Sequence, residues 1–115
     1  MIAPYLRNLR RLGIDAKIRQ VDPAQYESRL ENYDFDVAIS RYAHANTPGV
    51  GLRAFAGSNF ANIPGSRNLA GIADPVVDAL IEKIIAARDR AHLHTAARAL
   101  DRVLRAGHYL SLIHI

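Results

Sequence analysis

An α/β fold is the class this sequence predicts, on three observations. Two segments alternate apolar and polar residues with the period of two that marks a half-buried strand. A short, well-capped helix stands between them, and two longer amphipathic helices close the chain. Strand, short helix, strand is a βαβ unit, which implies parallel strands with a right-handed crossover.

Residues 4–12 predict the first helix, with Leu6, Leu9 and Leu12 on one side and arginines on the other. Gly13 stands where a left-handed residue closes a helix. Ile14, Ala16 and Ile18 then alternate with Asp15, Lys17 and Arg19, predicting a strand that ends at Val21. Asp22-Pro23-Ala24-Gln25 is a helix start: a capping carboxylate, a proline with no amide to leave unpaired, and Gln25 at the third position. Tyr26, Leu30 and Tyr33 give that helix one apolar side. Phe35, Val37 and Ile39 alternate next, predicting the second strand.

From Arg41 to Ala73 no periodicity holds, and glycines, prolines and asparagines punctuate the chain. A loop of that length inside a compact unit usually means a functional loop or a missing partner. Asp74-Pro75 repeats the cap-and-proline start. Val76, Val77, Leu80, Ile81, Ile84 and Ile85 predict a buried stripe on a helix reaching about Arg88. Leu93, Ala96, Ala97, Leu100, Val103 and Leu104 predict a second, closed by Gly107, so the two form an αα-hairpin. Two parallel strands do not stand alone, which makes the chain read as a fragment of a larger sheet protein.

Composition narrows function by exclusion. The 115 residues contain no cysteine, so disulfides, thiolate metal sites and cysteine catalysis are absent. No apolar run approaches the roughly 20 residues of a membrane-spanning helix. Met1-Ile2-Ala3-Pro4 leads into a charged helix without the start of a secretory signal. The net charge of +4 and pI near 9.9 raise the alternative of a small basic module binding nucleic acid. Thirteen of the fifteen basic residues are arginine, dispersed among carboxylates at helical pairing distance, a pattern of solvated helix faces. Nucleic acid is therefore not the expected partner.

No HExxH, phosphate loop, GxSxG or GxGxxG motif is present. His92 and His94 are two apart and fall on different faces of a helix, unsuited to one metal. His108 follows Gly107 as a partner for the helix dipole. Asp34 and Asp36 share the outward face of a strand and serve solubility rather than acid–base work. Neither an enzyme nor a cofactor is expected. The exit from the second predicted strand is different: Ser40, Arg41, Tyr42, His44 and Asn46 offer donors, acceptors, a flat ring and a carboxylate-pairing guanidinium. Strand ends of parallel sheets are where such groups meet ligands.

The run LGIDAKIRQVDPAQYESRLENYDFDVAI, a TPG-containing loop, then GSRNLAGIADPVVDALIEKI and ALDRVLRAGHY resemble, in that order, the late part of extracellular solute-binding proteins of ABC transporters. The group captures dipeptides, oligopeptides, nickel complexes and related ligands, and the oligopeptide or microcin-uptake branch is the most similar in pattern. The resemblance implies residues 1–109 as the C-terminal part of a two-lobed periplasmic-binding-protein-like fold. It further implies a peptide or small polar ligand, permease subunits as partners, and a periplasmic or cell-surface location. The ligand residues it implies are Arg41, Tyr42, His44 and Asn46, with Arg67 and Asn68 from the GSRNLAGI block. The sequence departs from many peptide binders in having no carboxylate between Arg41 and Ala73 to hold a ligand's amino group. Residues 110–115, LSLIHI, read like a translated sequencing-library adapter and are expected to be an artefact.

Overall fold

A computed structural model describes residues 2–42 and 47–110 of the chain. Five α-helices and one 3-10 turn make up its regular structure: α1 (Ala3–Arg11), α2 (Pro23–Glu31), α3 (Gly51–Ala56), the turn Ser58–Phe60, α4 (Pro75–Ile85) and α5 (Arg90–Ala106). The two cap-and-proline starts form as the sequence predicts. Asp22 accepts from the Gln25 amide at 2.9 Å and Asp74 from the Val76 amide at 2.8 Å. Gly13, with φ +81°, ends α1 in the left-handed region that only glycine occupies without cost.

The core belongs to the C-terminal half. Val77, Ile81 and Ile84 of α4 meet Ala96 and Leu100 of α5, so the helix pair packs by the stripes read from its sequence. Ala56 of α3 and Ile72 complete the cluster. Helix α5 begins on its own cap, Asp89, which accepts from the His92 amide at 2.8 Å. Gly107 is right-handed, with φ −76°; the left-handed residue at this end is His108, with φ +53°.

The α/β class is overturned. Among the described residues there is no β-strand, and the βαβ unit, with the sheet of a periplasmic-binding-protein-like lobe, does not form. The reason is that alternation marks a two-faced segment, whereas a strand exists only through ladder partners. In residues 14–21 the bonding is local, with the Ala16 amide donating to Ile14 O at 3.2 Å. In residues 35–40 the chain bends at Asp36 and Val37, and the Ile39 carbonyl takes its hydrogen bond from the Tyr26 hydroxyl. Four of the six alternating apolar side chains, Ile14, Ile18, Val37 and Ile39, stay exposed, Ile18 by 53 % and Val37 by 75 %, while Ala16 and Phe35 are half-buried. Helices α1 and α2 carry no buried residue either. Their apolar sides are short, so the sequence signal exceeds the burial achieved.

The stretch from Arg41 to Ala73 is not structureless. Helix α3 and the 3-10 turn lie inside it, held against α4 by two polar ties. Arg53 grips Glu82 with both ends of its guanidinium, at 2.7 and 2.6 Å, and Asp78 accepts from the Ser58 amide at 2.9 Å.

Candidate functional site

Two of the residues singled out from sequence, Tyr42 and Arg67, come together on a third that was not, Phe55. Tyr42 meets Phe55 of α3 edge to face, with ring centroids 5.5 Å apart at 66°. The Arg67 guanidinium lies over the Phe55 ring, its Cζ 5.7 Å from the centroid. Arg41 adjoins Tyr42 and is exposed. Phe55 is thus a shared platform: one face receives a cation, and a tyrosine ring stands at its edge. Burial among these groups pushes the Tyr42 phenol above its ordinary pKa, so it stays a neutral hydroxyl.

Asn68 turns the other way. It is fully buried, and its carboxamide is consumed by the chain around it. Nδ2 donates to Gly57 O at 3.1 Å and to Ile72 O at 2.8 Å, and Oδ1 accepts from the Ile72 amide at 2.9 Å. Its own amide donates to Ser66 Oγ, which in turn donates to Phe60 O. Tyr33, at a positive φ of 56°, shares its one hydroxyl proton between the carbonyls of Ile63 and Asn68, both at 3.3 Å. Asn68 therefore acts beneath the platform: it fixes Gly57, two residues after Phe55, while its neighbour Arg67 reaches over the ring. His44 and Asn46 lie outside the described residues, as do residues 111–115 of the tail.

Phe55 was missed in the sequence. Leu52, Phe55 and Ala56 sit at the helical spacing of three and four, the signal that exposes α3. The run is six residues long and lacks a side-chain cap, so glycines on both sides masked it. Chemically, the platform can stack flat groups, and the arginines can pair with a carboxylate. Among the described residues no group of His, Asp and Glu is arranged to hold a metal ion.

No family model matches the chain. Individual proteins do. Over 109 residues, 95 % of this chain, it is 50 % identical to the "Probable peptide-binding protein YejA" of Agrobacterium fabrum. This chain is a homologue of one stretch of the YejA-like binding proteins. It is also 37 % identical over 106 residues to the "Peptidoglycan-binding protein YepA" of the same organism, and 34 % identical over 110 residues to the YejA of Escherichia coli K12. These alignments cover 92 % and 95 % of the chain. The chain spans less than a fifth of the curated relatives it matches: 18 % of each YejA and 17 % of YepA. Tyr42, Phe55 and Arg67 are thus a cluster within a small part of a YejA-like length.

Two exposed carboxyls, Glu82 on α4 and Asp89 at the start of α5, are held below their ordinary pKa. The Arg53 fork holds the Glu82 carboxyl below its ordinary range, and the His92 amide and ring do the same for Asp89. Lowered folded pKa values mean stability that is fully present above the ordinary carboxylate range and lost as pH falls through the depressed values. An acid titration followed by helical circular dichroism is expected to show this loss. Glu82→Gln and Asp89→Asn together are expected to flatten it, since asparagine still caps α5 without titrating.

Proposed function

We propose that this chain is the late part of a solute-binding component of an ABC importer that captures peptides or similarly polar solutes. Residues 1–109 belong to that protein in this reading, and 110–115 do not. The homologue named as peptide-binding, half identical to nearly the whole chain, is the observation that carries it. The Tyr42–Phe55–Arg67 cluster supports it as a surface suited to peptide side chains and a terminal carboxylate. Arg41, Tyr42, His44, Asn46 and Arg67 are the contacts we assign to the ligand, and Asn68 holds the loop that carries Arg67. The setting would be the periplasm or cell surface, with permease subunits receiving the cargo.

The test uses the full-length gene product. Tripeptides and muropeptides are screened by thermal shift, and binding of the best is measured by calorimetry. Arg67→Ala is expected to weaken binding about ten- to 150-fold, the loss of one charge-assisted hydrogen bond of about 1.5–3 kcal/mol. Unchanged affinity in both Arg67→Ala and Tyr42→Ala, with the fold intact, would remove this cluster from the ligand site. Absence of any peptide binding by the intact protein would overturn the function itself.

A further inference from the structure

A concave surface against α5 shares no lining residue with the Phe55 platform. It is a groove of about 670 Å³ between Thr47–Pro48 and one face of α5. Arg90, His94 and Arg98 follow one another at steps of four along its length. Steps of four place side chains on one face of a helix, and eight residues at 1.5 Å each separate the two arginines by about 12 Å. Leu93 and Ala97, which rest on the buried core, line the groove beside them. Its volume lies within the range of small-ligand sites, roughly 300–1,000 Å³.

The charge in this groove is net positive, two guanidiniums against one carboxylate. Among the described residues neither Arg90 nor Arg98 forms an ion pair. The one carboxylate on the lining, Asp101, is engaged by Arg105 at 3.0 Å. Asp89, the neighbour of Arg90, is occupied capping α5 and bonding the His92 ring. Two free guanidiniums and an imidazole therefore face a channel with an apolar base. Pro48 makes the opposite wall stiff, and Thr47 adds a hydroxyl.

We propose that this groove binds an acidic peptide segment in extended form, with two carboxylates four residues apart meeting Arg90 and Arg98. An extended chain advances about 3.3 Å per residue, so side chains four apart point the same way about 13 Å from each other. That spacing matches the arginines. The residues between lie on Leu93 and Ala97, and small apolar side chains fit there.

The experiment is an amide NMR titration of the full-length gene product, selectively labelled at leucine and alanine, with acetyl-Glu-Ala-Ala-Ala-Glu-amide. The Gln and Lys counterparts of that peptide serve as controls. The Glu peptide is expected to shift the α5 amides around Leu93 and Ala97 and to bind more weakly as salt is added. The Gln peptide is expected to bind at least threefold more weakly and the Lys peptide not at all. Arg90→Ala and Arg98→Ala are each expected to weaken binding roughly three- to fivefold, the scale of an exposed ion pair. Arg90→Glu with Arg98→Glu is expected to abolish it. Arg102→Ala, on the same helix but off the groove lining, is expected to leave affinity unchanged. Equal binding of the Glu and Gln peptides overturns the proposal. So does an Arg102→Ala effect as large as that of Arg98→Ala, which would indicate diffuse charge attraction, or the absence of Glu-peptide binding altogether.

Discussion

Ile81→Ala is expected to destabilise the chain by about 2–5 kcal/mol, the range for removing a large aliphatic side chain from a packed site. Ile81 is 1 % exposed at the middle of α4, between Val77 and Ile84 and against the α5 stripe. Alanine is the better helix former, so the substitution keeps α4 and removes only packing. The cavity has little to collapse onto it, because the buried cluster is small and its other members are held by two helices. Against a typical total of about 5–15 kcal/mol, such a loss removes much of the stability. Urea denaturation followed by circular dichroism measures it. Val76→Ala, at a side chain 53 % exposed, is the control, expected within about 0.5 kcal/mol of the parent. A loss below about 1 kcal/mol for Ile81→Ala would mean that the α4–α5 contact is not the centre of the fold.

That contact was legible in the sequence because its signals are local and redundant. A cap, a proline and six apolar residues at helical spacing all name one face of α4, and α5 answers with a matching stripe. The strands failed for a complementary reason. Alternation at Ile14–Ile18 and Phe35–Ile39 states which way side chains point, but pairing is a property of two segments, and neither segment supplies it for the other. The Tyr26 hydroxyl bond to Ile39 O and the bend at Asp36 are tertiary and turn features that no period reveals.

The candidate cluster was legible in part. Tyr42 and Arg67 are 25 positions apart in sequence; the chemistry of the predicted strand exit named the first, and the family resemblance named the second. What joins them is Phe55, which sits in a short uncapped helix inside a glycine-rich run. Asn68 was read as a ligand residue from the resemblance of the GSRNLAGI block, and the structure spends its donors and acceptor internally. An asparagine's inventory is visible in sequence, whereas the direction it faces is decided by the turn from Ser66 to Ile72.

Asn68→Ala is expected to cost about 2–4 kcal/mol. Three buried backbone groups, Gly57 O, Ile72 O and the Ile72 amide, lose their partner together, and each unsatisfied group costs about 1–3 kcal/mol before water enters the vacated space. The loss is local before it is global, because Gly57 ties the end of α3 to this loop. Hydrogen exchange at the Ile72 amide is expected to accelerate more than exchange within α5. Phe55 ring resonances are expected to shift as Arg67 leaves its face. Asn68→Asp separates hydrogen bonding from shape. Aspartate keeps the acceptor for the Ile72 amide but loses both donors and puts a carboxylate where exposure is zero. Burial raises the folded pKa of that carboxyl, so the folded state binds the proton more tightly than the unfolded state. Stability of Asn68→Asp is therefore expected to recover as pH falls from neutral, the opposite of the Glu82 and Asp89 trend, because the protonated group can donate one bond again. Equal stability of Asn68→Asp and the parent at neutral pH would place this side chain in solvent and return it to the candidate ligand contacts.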